Sequence, residues 1–286
     1  MTTNARRAAV THLRATYPVS ERRACRLVRL ARSRWQHRST RPSDTPLIDA
    51  LTAKASARPR FGYRRLTRLL QRDGWHVNHK RVLRVYRAEG LRLRKRRRRK
   101  LVSTPRVPRP IHDGPNTQWT IDFIHDAFAT GRRFRTLSVV DECTRECLAL
   151  WPDVSLPSRT VVTILEGIAA LRGTPQRVIL DNGPEMIAAA LDAWAYRGGV
   201  ELAFTRPAKP VDNCYVESFH DKFRDECLNL HWFLDLADAR TIIEAWREDY
   251  NTVRPHQALG YRTPTEYAAL LQHDLELASA PHLSPT

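Results

Sequence analysis

The hydrophobic pattern of the chain changes period once, near residue 117. Before that point apolar residues recur three and four apart. In "SERRACRLVRLARSRWQH" (20–37), Ala24, Leu27, Val28 and Ala31 share one helical face, arginines fill the other, and Ser20 is placed to cap. Ser33 is placed to start a second short helix. Residues 39–46, "STRPSDTP", read as a polar linker, and 46–73 as two helical pieces broken at "RPRFGYRR". After Gly74, Asn78 caps a helix whose Val82, Leu83, Val85 and Tyr86 face inward. Arg81, Arg84 and Arg87 face outward, and Gly90 ends the helix. Two short helices joined by a tight glycine turn, the second rich in arginine, suit a helix-turn-helix; an ordinary amphipathic pair is the alternative.

Beyond residue 117 the period shortens to two. "QWTIDFIH", "RRFRTLSVVDE" and "ECLALWPD" predict a three-strand meander with "CTR" as the last turn. A helix follows over "SRTVVTILEGIAALRG", capped by Ser158 and stopped by Gly173. Next come a strand at "QRVILDN", a helix over "MIAAALDAWAYRGG" and a strand at "VELAFT". "YVESFHDKFRDECLNLHWF" predicts one long helix, and a last helix covers "DLADARTIIEAWREDYN". The order β-β-β-α-β-α-β-α-α predicts an α/β domain with a mixed sheet.

Charge divides the chain at nearly the same place. Residues 1–110 hold 32 Lys+Arg against 5 Asp+Glu, a net of +27; residues 111–286 hold 16 against 25, a net of −9. Charge of one sign at the first density repels itself unless a polyanion is near, so a nucleic acid is the expected partner. The run "RLRKRRRRK" (Arg92, Arg94, Lys95, Arg96, Arg97, Arg98, Arg99 and Lys100 around Leu93) and the Pro-rich "LVSTPRVPRP" read as a basic arm leading into the next domain. The 5 cysteines are scattered and lack paired CxxC spacing, so no zinc site is indicated, and reduced thiols of a cytoplasmic protein are the simplest reading. No apolar stretch has the length of a signal peptide or a membrane span, so no membrane partner is expected.

Three acids then change the picture. Asp122 lies inside an apolar strand and shares its face with Thr120 and Ile124; a lone ionised carboxylate there is costly unless it is paired or binds a metal. Asp181 ends the buried run "VIL". Alone, Asp-Asn-Gly-Pro is turn chemistry. Glu217 stands in the first turn of the long helix, off the Val216–Phe219–Phe223 packing stripe, with Asp221 and Arg224 further along its face. Three carboxylates at the ends of adjacent elements are reconciled by bound cations. Hard, oxygen-liganded Mg²⁺ or Mn²⁺ fits, because no His or Cys accompanies the acids at ligand spacing. Two such ions, about 3.5–4 Å apart, clamp the attacking and leaving oxygens of a phosphodiester displacement.

"WTIDF", "ILDNGPE" and "NCYVESFHDKFRDECL" resemble the DDE signature of integrases and transposases, with 35 residues between Asp181 and Glu217. The tail "DARTIIEAWREDYNTVRPHQALGYRTPTEY" is similar to the segment closing the catalytic domain of bacterial insertion-sequence transposases. The likeness is to the second-reading-frame product of the IS-three family, over about residues 17–270. The resemblance implies an RNase H-like mixed five-stranded sheet with flanking helices, preceded by a basic all-α helix-turn-helix region. It implies Mg²⁺ or Mn²⁺, two ions, held by Asp122, Asp181 and Glu217. It implies strand cleavage at the element's terminal inverted repeats and attack of the freed 3′-hydroxyl on target DNA. A homo-oligomeric synaptic complex and an upstream-frame product, as fusion or partner, go with it. A hydrolytic nuclease of the same fold and an inactive DNA-binding regulator remain as alternatives.

The expected organisation is a basic helical segment over 1–45, the helix-turn-helix region and arm over 46–100, a linker over 101–112, the catalytic core over 113–270 and a tail over 271–286. His220 stands where the family usually has Asn, and Met186 where Phe is usual; neither is expected to be a metal ligand. Lys209, Lys222 and Arg224 read equally well as DNA contacts near the metals and as surface charge. Trp119, Trp151, Trp194 and Trp246 read as core, Asp141 and Arg145 as an ion pair, and His256 as structural.

Overall fold

The computed structural model describes residues 1–37, 43–93, 114–181, 183, 186–205 and 214–279. The basic arm from Arg94 to Lys100, the linker to 112, and Lys209 lie outside them. The chain divides into two compact units, Met1–Pro46 and Leu47–Thr286.

The first unit holds α1 (Thr3–Thr16), α2 (Glu21–Leu27) and α3 (Arg32–Gln36). Ser20 caps α2 through a bond from Arg23 N, as its position predicts. Helix α3 starts one residue before Ser33, with Ala31 at its N-cap. Sequence reading missed α1, because only Val10 of that helix is fully buried. It is fixed instead by its Thr2 cap and by Arg6 and Arg7, which donate to Arg29 O and His37 O.

The second unit opens with α4 (Thr45–Ala57), α5 (Tyr63–Arg72) and α6 (His79–Ala88). Leu47, Leu51, Phe61, Leu66, Leu70, Val82, Val85 and Tyr86 form their shared core. Gly74 takes φ +86° in the α5–α6 turn, a conformation that favours glycine. Asn78 caps α6, accepting from Lys80 N. Arg84 and Arg87 are exposed and Arg81 is half-buried on the outer side of α6; Arg92 is exposed just beyond it.

The sheet comprises β1 (Gln118–Ala127), β2 (Arg133–Asp141), β3 (Cys147–Asp153), β4 (Arg177–Leu180) and β5 (Glu201–Phe204), in spatial order β3-β2-β1-β4-β5. The first three strands pair antiparallel, while β4 and β5 run parallel to β1. This is the RNase H-like arrangement. On one face, Trp119 and Ile121 pack with α7 (Ser158–Arg172) and α8 (Ala189–Gly198), and the buried Met186 joins this core. On the other, Ile124 packs with α9 (Cys214–Glu226) and α10 (Leu236–Thr252) through Phe219, Phe223, Ile243 and Tyr250. Helix α11 (Pro264–Ser279) packs on α10 and runs on past residue 270, into the segment read as a tail.

Three local expectations change. Pro157, not Ser158, holds the N-cap position of α7, without a side-chain bond. The long helix predicted to Phe233 stops at Glu226, and a 3-10 turn (Leu228–Leu230) follows. The reason lies elsewhere in the chain. Phe233 O accepts from Ala129 N in the β1–β2 turn at 2.7 Å, and its ring meets Phe134 edge-on, so the backbone must leave the helix to reach them. Trp151 is 42% exposed with Arg240 over its ring, whereas Trp119 and Trp194 are core and Trp246 is partly buried.

The closing segment of the core is a set of clamps. Asn251 accepts from Cys147 N at 2.9 Å and donates to Cys147 O at 2.8 Å, holding the start of β3 to α10. Asn251→Ala leaves a buried N–H without its acceptor, so a loss of about 2–3 kcal/mol is expected, measured as a lowered midpoint of urea unfolding. His256 is buried and bonded to Tyr250 O, a structural place as expected. Arg254 is 1% exposed and donates twice to Glu226, at 2.6 Å each, while Arg65 of α5 donates to the same carboxylate at 3.0 Å. Further arginines of the helical region reach the core alongside: Arg58 to Asp249, Arg60 to Asp225 at 3.3 Å and Arg72 to Glu266 at 2.6 Å.

Candidate active site

Asp122 sits mid-strand on β1, opposite Ser138 of β2. Its face carries buried Thr120 and Ile124, as the alternation predicts. Its carboxylate is 19% exposed, and Oδ1 accepts from Phe123 N at 2.7 Å. Asp181 follows β4 directly. The parallel β1–β4 register runs to Thr120↔Ile179, and continuing it two residues brings Asp122 and Asp181 abreast on strands about 4.8 Å apart. Asp181 Oδ1 accepts from Gly183 N at 3.3 Å, so the acid also performs the turn role that Asp-Asn-Gly suggests.

Glu217 is exposed in the first turn of α9, while Val216, Phe219 and Phe223 are buried. His220, three residues on, turns to the sheet: Nδ1 lies 3.7 Å from Asp122 Oδ2, and Nε2 lies 2.7 Å from Ser138 Oγ. Glu217 stands one turn before it and about 60° round the same flank. The contact that α9 makes with Asp122 is through His220, three residues after the exposed Glu217. Among the described residues no three His, Cys, Asp or Glu side chains already stand close enough together to hold an ion. The chemistry of the donors nevertheless fits a hard cation, since Asp122 on β1, Asp181 after β4 and Glu217 on α9 all offer carboxylate oxygens.

Burial pushes the His220 ring down to about 4, with the positive charge of Arg224 adding to it, so the ring is neutral at pH 7. Lys222 is also pushed down, to about 8, by burial first and then by Arg254. Its ammonium donates to Ser218 O at 2.5 Å and to Ser218 Oγ at 2.8 Å, which turns it along the helix. Arg224 is exposed on the same side of α9 as Glu217 and Asp221.

Several residues near the acids were not legible as such. Glu142 is 3% exposed; it accepts from Gln118 Nε2 at 3.0 Å and from Thr120 Oγ1, on the Asp122 face of β1. Ser138 and His220 are 82 residues apart in sequence and meet only in the fold. The expected Asp141–Arg145 pair is replaced by other partners. Asp141 accepts from the N–H groups of Asn116, Cys143 and Thr144, and the Arg145 guanidinium lies 3.6 Å over the Tyr215 ring, two residues before Glu217. Cys25, Cys143, Cys147 and Cys227 are free thiols. No helix among the described residues is long and apolar enough to cross a membrane.

Residues 112–210 and 198–264 each match the family described as Integrase core domain, and residues 46–100 match the HTH-like domain. The chain is 46% identical to the insertion element IS407 uncharacterized 31.7 kDa protein of Burkholderia multivorans, over 90% of this chain and 93% of that protein. It is 30% identical to Transposase InsD for insertion element IS2A/D/F/H/I/K of Escherichia coli, over 80% of each. The catalytic core domain of HTLV-2 integrase, solved in complex with magnesium, is 15% identical, with a TM-score of 0.40 over 54% of this chain and 97% of that one. An integrase core preceded by a helix-turn-helix-like domain, with this identity along nearly the whole chain, means that the protein belongs to the insertion-element transposases of the IS-three family.

Proposed function

We propose that this chain cleaves DNA strands at the ends of its insertion element and transfers the resulting 3′-hydroxyl to target DNA, using Asp122, Asp181 and Glu217. One observation supports the reading: His220, three residues after Glu217 on α9, stands 3.7 Å from Asp122, and the β1–β4 register, continued two residues, has Asp181 abreast of Asp122. The three acids would hold Mg²⁺ or Mn²⁺, two ions. When bound, the ions polarise the scissile phosphate and stabilise the attacking and leaving oxygens. The residues themselves do the positioning. The hydrogen-bonded centre of the sheet fixes Asp122, and the apolar stripe of α9 fixes the direction of Glu217. Arg224, exposed on the Glu217 side, would meet a phosphate. The protein would work in the cytoplasm as a homo-oligomer spanning two element ends, with the upstream-frame product as fusion or partner.

Joining of pre-cut element ends to target DNA in Mg²⁺ or Mn²⁺ is the direct test. Hydrolysis without joining would make the protein a nuclease, and metal-independent DNA binding without nicking would make it a regulator. Ca²⁺ is expected to support binding with little turnover, since it lacks the strict octahedral geometry of Mg²⁺. Full activity in excess chelator would remove the mechanism.

Affinity should come chiefly from the basic half. Log affinity is expected to fall against log salt with a slope of about −0.9 per phosphate contact. Neutralising Arg96, Arg97, Arg98 and Arg99 should flatten that slope and weaken binding equally on element ends and random DNA. Changing Arg81 and Arg84 on α6, with Arg87 beside them, should instead reduce the preference for element ends. A salt titration of both variants on both DNAs separates the two roles; an unchanged slope in the arm variant would show that the arm does not hold DNA.

A further inference from the structure

The surroundings of His220 give it a role that its place in the sequence does not suggest. Ser138 faces Asp122 across the β1–β2 ladder, and its hydroxyl donates to Asp122 O at 3.0 Å. A hydroxyl has one hydrogen. With that hydrogen on the carbonyl, the 2.7 Å contact between Ser138 Oγ and His220 Nε2 closes only if the ring donates Nε2–H. A neutral imidazole has a single N–H, so Nδ1 then carries a lone pair, and it lies 3.7 Å from Asp122 Oδ2. Two acceptors at that separation do not bond each other. They are, however, within the span of two ligands on one cation, whose bonds to oxygen or nitrogen are about 2.0–2.2 Å long. A histidine that gives its other N–H to a fixed oxygen is the arrangement in which metal-ligating imidazoles occur, because that bond sets both tautomer and ring orientation.

We infer that His220 Nδ1 is a nitrogen donor to the cation held at Asp122, so that the metal set is two Asp, one Glu and one His rather than carboxylate alone. The inference rests on the reading of the acids as a metal site. Ser138 is then a positioning residue: it holds the ring in the tautomer that leaves Nδ1 open to the ion. An imidazole in the set favours Mn²⁺ and Co²⁺ over Mg²⁺, which prefers oxygen and keeps its waters.

The test is binding of Mn²⁺ to the full chain at mildly alkaline pH, read by electron spin-echo spectroscopy for coupling to an imidazole nitrogen and by calorimetric titration against Mg²⁺. Expected in the wild type is bound Mn²⁺ with nitrogen coupling, which changes to the nitrogen-15 pattern when histidine is labelled. His220→Ala should bind Mn²⁺ without the coupling and with a smaller Mn²⁺-to-Mg²⁺ affinity ratio. Ser138→Ala should weaken Mn²⁺ binding on the order of 10-fold, the usual cost of losing the partner of a ligating histidine. Asp122→Asn should lose the nitrogen-coupled ion. Wild-type Mn²⁺ bound without nitrogen coupling overturns the inference while leaving the acids as the metal site, with His220 only orienting Asp122. Coupling that persists in His220→Ala comes from another histidine and overturns it equally. A wild-type protein that binds no Mn²⁺ overturns both this inference and the metal-site reading beneath it.

Discussion

Asp122→Asn, Asp181→Asn and Glu217→Gln proteins are each expected to lose strand cleavage and strand joining by on the order of 10³-fold or more, while retaining DNA affinity. The amide keeps the shape of the side chain and removes the charge that holds a cation, which is worth several kcal/mol of transition-state stabilisation. DNA affinity should survive because the basic charge lies in residues 1–110, which hold none of the three acids. Single-turnover joining of pre-cut ends, beside an electrophoretic binding assay, measures both. Wild-type joining by Glu217→Gln would show that the third acid has been wrongly assigned. Because the substitutions are nearly isosteric and Glu217 is exposed, unchanged unfolding curves should accompany the loss.

Glu226→Ala is expected to be among the most destabilising single changes in the chain, by about 3–5 kcal/mol, the usual cost of breaking a buried ion pair from one side. Glu226 lies between two guanidinium groups, Arg254 from the closing segment and Arg65 from α5. Its removal leaves two cations facing each other where Arg254 is buried. Burial and the neighbouring Arg254 charge already lower the Arg65 pKa. Arg65→Ala should cost less, because Arg65 is 28% exposed and its loss leaves the Arg254–Glu226 pair intact. Guanidinium unfolding of the two variants checks the order; equal losses would show that the three groups do not act as a unit. The same pair pins the last turn of α9, whose first turn carries Glu217.

Much of the integrase core domain was legible because its signals are local. Alternation along "QWTIDFIH" put Asp122 on the same face as Thr120 and Ile124, and the pleat keeps that alternation whatever the strand pairs with. The stripe Val216, Phe219, Phe223 put Glu217 outside the core of α9 for the same kind of reason. Asn78 and Gly74 marked the α5–α6 turn through backbone preferences that two or three residues suffice to express. Helix α1 escaped because an arginine-rich helix with one buried valine has hardly any stripe to read. The end of α9 escaped because Leu228, Leu230 and Phe233 continue a helical spacing that the chain abandons to bond Ala129, far away in sequence.

The sequence by itself determined most of the elements, the faces they bury and where the basic half ends. These depend on periods of two and 3.6 residues, on caps and turns, and on charge density, all of which are properties of short segments. Only the tertiary structure decided what the acids meet. The strand order placed β1 between β2 and β4, so that Asp122 has Ser138 on one side and the Asp181 turn on the other. The packing of α9 on that sheet brought His220 to Asp122, and Glu226 gathered Arg65 and Arg254 around one carboxylate. Such meetings depend on register and on how elements cross. A side chain at a given spacing along one segment carries no record of which distant segment will lie across from it.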